Sequence, residues 1–147
     1  MPTDLQHQLE HSGHGRCDGL WPAERLGAVR QEAEALWQQQ LSRGNAAQLE
    51  RTGADPHGCE WQLSPEHPAI WALLTSGELP QLVAQATGWQ ALRPLHFGVL
   101  RKQAGAAMTC WHRDQDVIPS DAPILSCWIP LTPVQAGSGL YYAEGTA

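Results

Sequence analysis

The chain has 147 residues, of which 42% are hydrophobic, and it carries a formal net charge of −6. This length suits one folded domain with its own core, and the hydrophobic fraction excludes a chain that stays disordered. The acidic balance excludes the basic footprint of a nucleic-acid-binding protein and gives no attraction to an anionic membrane surface. Neither nucleic acid nor a membrane is therefore expected as a partner.

The sequence also bears on the compartment. No segment approaches the roughly 18 consecutive apolar residues that mark a transmembrane helix, and residues 1–7 lack the basic and apolar regions of a signal peptide. A cytoplasmic protein is therefore expected. Free and mostly buried thiols are the favoured interpretation of the cysteines, which show no CxxC spacing; they are Cys17, Cys59, Cys110 and Cys127.

The N-terminus concentrates possible metal ligands, namely His7, His11, His14 and Cys17. His7 and His11 would lie on one face of a helix, because residues four apart are neighbours on a helix surface. Gly13 and Gly15 interrupt any longer helix, and the overall spacing matches no zinc pattern. Histidines at the surface or in loops are the favoured interpretation, and a metal site is the alternative.

Residues 1–90 have the apolar spacing of helices, which we predict at 5–10, 22–41, 66–74 and 78–87. Pro22 fits the first turn of the second of these helices, and Gly44 ends it. Ser64 is the expected N-cap of the third, and Gly88 the residue that ends the fourth. Residues 42–63 are mixed in composition and predict a loop.

From about residue 91 the pattern changes to the alternation typical of strands, which we predict at 92–103, 108–114, 123–131 and 139–143. We treat residues 1–147 as a single domain of the α+β class, in which the helices of residues 1–90 pack on the strands of residues 91–147. Four strands do not close a barrel, so the predicted sheet is incomplete. Its unpaired edge offers a place for association with a partner.

The tripeptide His112-Arg113-Asp114 is the most informative motif of the chain. Side chains two apart on a strand point to the same face, so His112 and Asp114 would aim an imidazole and a carboxylate at one point. These are two of the three ligands of the 2-His-1-carboxylate facial triad, which holds Fe(II). All seven histidines lie at or before position 112, so no second histidine follows the motif in this sequence.

Four segments carry a family resemblance in their order along the chain: Leu95–Lys102, Thr109–Asp114, Ser126–Leu131 and Gly137–Leu140. Together they resemble the phytanoyl-CoA dioxygenase family, in which a strand with a lysine precedes W-H-x-D, and a strand with W-x-x-L and a glycine turn follow. The resemblance implies a double-stranded β-helix (a jelly-roll, cupin-like fold), an Fe(II) ion and 2-oxoglutarate as co-substrate. The implied reaction is hydroxylation of a small molecule, coupled to oxidative decarboxylation of 2-oxoglutarate.

The resemblance assigns roles residue by residue. His112 and Asp114 match the first two iron ligands, and Lys102 and Trp128 stand where family members place groups near 2-oxoglutarate. The family's distal histidine and its arginine for the 2-oxoglutarate carboxylate have no counterpart up to Ala147, so the resemblance implies the N-terminal portion of a longer enzyme. The alternative is a non-catalytic half-roll that binds a partner or has no function.

Overall fold

A computed structural model describes residues 2–42, 58–61, 64–95, 97–100, 109–118 and 120–143 of the chain. Within these residues it has five helices and two short strands. In chain order the elements are α1 (Pro2–Ser12), α2 (Ala23–Ser42), β1 (Gly58–Trp61), α3 (Pro68–Thr75), α4 (Glu78–Thr87), β2 (Phe97–Leu100) and α5 (Asp114–Val117). The described part of the chain is therefore mainly helical, and the α+β class predicted from the sequence is wrong for these residues.

The helices before residue 90 lie close to their predicted positions. α2 is shifted by one residue from the predicted 22–41, and α4 coincides with 78–87. Gly88 ends α4 with φ of +73°, a left-handed conformation that suits glycine because it has no Cβ. α3 begins later than predicted, because His67 takes the N-cap position and Pro68 the first turn. Ser64 instead closes the turn before the helix, where its carbonyl accepts from the backbone N–H of His67 at 3.1 Å.

The expected double-stranded β-helix is wrong for the residues that the structure describes. β1 and β2 pair antiparallel, with Gly58 opposite Leu100 and Trp61 opposite Phe97, and they form a two-stranded sheet. β1 lies in a segment for which we predicted a loop. The described residues at 109–114, 123–131 and 139–143 form no strand, although the sequence predicted one in each segment.

Residues 123–131 show why an alternating pattern need not form a strand. Alternation specifies which side chains become buried, but a strand also needs a neighbouring backbone to bond with. Here the exposed Trp128 and Pro130 alternate with the partly buried Ile129 and Leu131, as in a strand. Ile129 and Leu131, however, pack on the helical core without any sheet ladder. Pro130 also lacks the N–H that a ladder would use.

The hydrophobic core lies mainly between α2 and α3. Its buried members are Val29, Leu36, Ile70 and Leu73. The partly buried side chains around them include Trp21, Leu26, Phe97, Ile129 and Leu131. α4 packs on both α3 and α1. The core therefore ties the helices to β2 and to the segment around residue 130, which includes Trp128 of the predicted site.

The sequence predicted free, mostly buried thiols and a cytoplasmic location. Cys17, Cys110 and Cys127 are free and exposed, so the prediction of mostly buried thiols is wrong for these three. Cys127 nevertheless has enough protein around its sulfur that desolvation raises the pKa of its thiol. Among the helices described, none has both the length and the apolar character needed to cross a membrane. A cytoplasmic location stays a prediction.

Side chains of α2 hold both ends of α3. Glu32 accepts a hydrogen bond from the backbone N–H of Ile70, in the first turn of α3, at 2.7 Å. Arg25 donates to the carbonyl of Ala72, in the last turn, at 3.1 Å. A carboxylate at the N-terminus and a cation at the C-terminus both suit the helix dipole. Glu32 also satisfies an N–H of the first turn that the helix leaves unpaired, whereas the carbonyl of Ala72 already accepts a hydrogen bond from the backbone N–H of Ser76. The charges of α2 therefore select the antiparallel placement of α3.

Arg25 also pairs with Glu78 at the start of α4, which accepts a further hydrogen bond from the indole of Trp21 at 3.2 Å. The hydrogen bond from Arg25 is the main cause that lowers the pKa of the Glu78 carboxyl below its ordinary value of 4.5. A carboxyl with a lower pKa in the folded state stabilises the fold above its ordinary pKa, and this contribution is lost as the pH falls through the folded value.

We therefore expect Glu78→Gln to destabilise the protein near neutral pH and to have little effect once the pH lies below the folded pKa of Glu78. Urea unfolding across a pH series, followed by tryptophan fluorescence, measures this difference. Glu24→Gln is the matched control, because Glu24 is an exposed carboxylate next to Arg25 in sequence. The same pH dependence in both variants would show that the Arg25–Glu78 pair has no special role.

Candidate functional site

His112 and Asp114 converge, as their spacing predicted. His112 Nε2 lies 3.4 Å from Asp114 Oδ1, and the two side chains are 46% and 41% exposed. The intervening Arg113 has extended backbone angles, φ −111° and ψ 137°, and Asp114 then begins α5. An extended residue between two others turns their side chains to the same side. The convergence therefore needs one extended residue and no sheet, and the predicted concave sheet face around it is wrong for the described residues.

The protonation of His112 follows from its second contact. His112 Nδ1 lies 2.8 Å from the carbonyl oxygen of Cys110. A carbonyl oxygen only accepts hydrogen bonds, so Nδ1 carries a proton and donates it. When Nε2 is unprotonated, its lone pair then faces the carboxylate of Asp114, and two acceptors repel each other. A cation or a second proton between Nε2 and Oδ1 removes that repulsion.

The separation of the two acceptors can be compared with metal coordination. Ligand atoms about 2.1 Å from one ion, at angles of roughly 90–110°, lie about 3.0–3.4 Å from each other. The 3.4 Å between His112 Nε2 and Asp114 Oδ1 falls at the end of this range. An imidazole nitrogen and a carboxylate oxygen also match the donor types of a non-haem Fe(II) site. The two residues thus fit a shared ion.

The other oxygen of Asp114 is also engaged. Asp114 Oδ2 accepts a hydrogen bond from the hydroxyl of Ser126. Ligating carboxylates and histidines are usually oriented in this way by a second partner. Ser126 was not among the predicted site residues, although it stands two residues before Trp128 in a segment of the family resemblance. Its contact joins segments twelve residues apart, which no local pattern predicts.

Arg113, in the middle of the motif, is paired with a different carboxylate. Its guanidinium donates to both oxygens of Asp116, at 2.9 and 2.8 Å. These bonds lower the pKa of Asp116 and raise that of Arg113. The bidentate pair keeps the positive charge of Arg113 on Asp116. Asp114 is thereby left to His112 and Ser126.

Tyr142 contacts the N-terminal segment and lies close enough to Asp114 to be affected by its charge. Its ring stacks on that of His14, with centroids 4.3 Å apart and planes 1° apart. Burial, together with the negative charge of Asp114, raises the pKa of the Tyr142 hydroxyl. Tyr142 therefore stays protonated and can donate a hydrogen bond. No local pattern in the sequence predicts a stack between residues this far apart in the chain.

The same residues exclude one alternative chemistry. A serine, a histidine and an aspartate adjoin here, as they do in serine hydrolases. In those enzymes the histidine accepts the serine proton and the aspartate holds the other ring nitrogen. Here Ser126 donates to Asp114, and the Nδ1 of His112 donates to a backbone carbonyl. The hydroxyl is not activated by the imidazole, so the order of contacts does not support acyl transfer.

Of the two remaining predicted site residues, the structure describes only Trp128. Lys102 lies outside the residues that the structure describes. Trp128 is described and is 44% exposed, and the alternation around it puts it on the side opposite Ile129 and Leu131. Within the described residues, no group of three or more His, Cys, Asp or Glu side chains is arranged to hold a metal ion. The candidate site therefore consists of the ligand pair His112 and Asp114 with their supporting contacts.

Comparisons with known proteins found no match to this chain. No family model matches it. No curated protein matches it. No solved structure matches it either. The family resemblance therefore rests on the motifs themselves, and the function is argued from the site.

Proposed function

We propose that the chain carries part of the active site of a non-haem Fe(II)- and 2-oxoglutarate-dependent dioxygenase of the phytanoyl-CoA dioxygenase type, which hydroxylates a small molecule. His112 and Asp114 are the proposed iron ligands, and Lys102 and Trp128 are the proposed contacts of 2-oxoglutarate. The proposal concerns the site and its chemistry. It does not include the jelly-roll, which the described residues do not form.

The observation that carries the proposal is the facing pair of acceptors, His112 Nε2 and Asp114 Oδ1, 3.4 Å apart. Each has a supporting partner on its far side, the carbonyl of Cys110 for the imidazole and the hydroxyl of Ser126 for the carboxylate. Such partners are typical of metal ligands, because they fix the tautomer and the orientation of the donor atoms. The ordered motifs on either side of the pair give independent support.

The chain's own residues have defined tasks in this proposal. Bound Fe(II), with 2-oxoglutarate and O₂, supplies the oxidising chemistry. Cys110 and Ser126 hold the two ligands in position. The phenol of Tyr142 is protonated near neutral pH, and burial and the charge of Asp114 raise its pKa further, so it offers a hydrogen-bond donor near the site. Trp128 is 44% exposed, so part of its side chain is accessible to a bound organic molecule.

A complete facial triad has two histidines and one carboxylate, so the pair His112 and Asp114 lacks one ligand. We therefore expect residues 1–147 to bind Fe(II) weakly and to form no succinate from 2-oxoglutarate. Free imidazole should act as a substitute for the third ligand and strengthen Fe(II) binding. Addition of 2-oxoglutarate should then produce the visible charge-transfer absorption that a chelated 2-oxo acid gives with Fe(II).

The measurement is an anaerobic titration with Fe(II), with and without imidazole, of the His7→Ala protein, in which His7 and His11 cannot act together as ligands. It is followed by absorption and by succinate analysis after exposure to O₂. His112→Ala should abolish both the imidazole effect and the charge-transfer band. An unchanged band in this variant would show that Fe(II) binds elsewhere and would overturn the proposal. Succinate formation that depends on His112 without imidazole would show that the chain supplies its own third ligand.

A second candidate function is binding of a partner at the β1–β2 sheet, since a strand at the edge of a sheet can pair with another chain. Leu100 of β2 is 69% exposed there. His112→Ala separates the two functions, because edge binding needs neither iron ligand and should survive this substitution.

A further inference from the structure

We propose that His7 and His11 form a second metal site, on the exposed side of α1, which binds a divalent transition cation such as Cu²⁺ or Zn²⁺ through its two imidazoles. This site is separate from His112 and Asp114 and does not depend on the proposed oxygenase function. The sequence alone favoured simple surface histidines here. The arrangement of the two rings on α1 changes that interpretation.

The two imidazoles are already close together. Their rings are stacked, with centroids 3.9 Å apart and planes 16° apart, and both residues are exposed. Residues four apart lie on one helix face, and two histidines at this spacing are the arrangement by which a helix holds zinc in metalloproteases. The pair therefore meets the first requirement of a chelate, which is that both donors project from the same patch of surface.

His11 is further prepared by its own hydrogen bond. His11 Nδ1 lies 2.9 Å from the carbonyl oxygen of His7. Because this oxygen only accepts, Nδ1 carries the proton and Nε2 keeps its lone pair for a ligand. A carbonyl partner on the other ring nitrogen is the usual support of a metal-bound histidine. A cation binds in the plane of each ring, so binding requires the rings to rotate out of their stack.

The charges of α1 favour a cation at this position. The helix contains Asp4 and Glu10 but no lysine or arginine, and His11 lies in its last turn. The C-terminal turn of a helix attracts positive charge through the helix dipole. Glu10 is held at the surface by the amide of Gln6, at 2.8 Å. Paired imidazoles bind Cu²⁺ more tightly than Zn²⁺ or Fe²⁺, which makes Cu²⁺ the most sensitive probe.

The test uses the full chain without an added histidine tag and with His112→Ala and Asp114→Asn, so that the candidate iron site does not contribute. Cu²⁺ is titrated into this parent protein, and electron paramagnetic resonance counts the bound nitrogens. We expect one Cu²⁺ held by two imidazole nitrogens. His7→Ala and His11→Ala should each lower the affinity by at least about tenfold.

A double substitution provides the matched control. His11→Ser with Ser12→His keeps the composition of the chain but places the histidines five residues apart, on different faces of the helix. This variant should lose as much affinity as His11→Ala, and circular dichroism should show the same helix content as the parent. Unchanged Cu²⁺ affinity in the exchanged variant, or a single bound nitrogen in the parent, would overturn the proposal.

Discussion

Replacing Leu73 with alanine should lower the free energy of unfolding by about 2–5 kcal/mol. Leu73 is the largest fully buried side chain among the described residues and is only 2% exposed. It lies on α3, which packs on both α2 and α4. Loss of its methyl groups removes buried apolar contacts and leaves a cavity that the surrounding helices cannot fully close. Urea unfolding, followed by circular dichroism, measures the change.

Leu95→Ala is the matched control for this substitution, because it deletes the same atoms from a side chain that is 47% exposed. Substitutions at exposed positions usually change the free energy of unfolding by less than about 0.5 kcal/mol. A similar loss of stability in both variants would mean that Leu73 is not in a packed core. It would also contradict the placement of α3 between the other helices.

Replacing Asp114 with asparagine should weaken divalent metal binding at the candidate site to the level of His112 alone. In the proposed site the carboxylate is one of the two ligands and carries the only negative charge of the pair. Ser126→Ala should have a smaller effect, about a tenfold loss of affinity, because it removes an orienting hydrogen bond and keeps both ligands. Co²⁺, whose visible absorption reports its coordination, is a suitable probe, measured in the His7→Ala background.

Asp116→Asn provides the control, since it removes the same charge two residues further along the chain. Asp116 is bound by Arg113 rather than facing His112, so its loss should leave the Co²⁺ spectrum nearly unchanged. If Asp116→Asn weakened binding as much as Asp114→Asn, the effect would be one of general negative charge. The pairing of His112 with Asp114 would then have no special role.

The geometry of the His112–Asp114 pair is independent of the fold that usually surrounds such a motif. One extended residue turns the two side chains together, and a backbone carbonyl and a serine hydroxyl orient them. Functional groups can be carried by different folds, because a site requires the right side chains in the right positions. The tests of metal binding above therefore bear on the chemistry whether or not a β-helix is present.

Several features were predictable from the sequence because they depend on neighbours along the chain. The apolar spacing of α2 and α4 and the glycine after α4 act within one or two helical turns, so these helices were predicted to within one residue. The convergence of His112 and Asp114 was likewise predictable, since the extended backbone of Arg113 turns both side chains to the same side. The likeness of His7 and His11 to a chelating pair also follows from their spacing on one helix.

Other features were decided only by tertiary structure. Alternating residues at 123–131 favoured a strand, but Ile129 and Leu131 bury themselves on the helical core instead. β1 lies in a segment whose composition predicted a loop, and it pairs with β2. The contacts of Ser126 with Asp114 and of His14 with Tyr142 join distant parts of the chain. Local patterns specify backbone preference and side-chain burial, whereas the choice of partner depends on which surfaces the whole fold brings together.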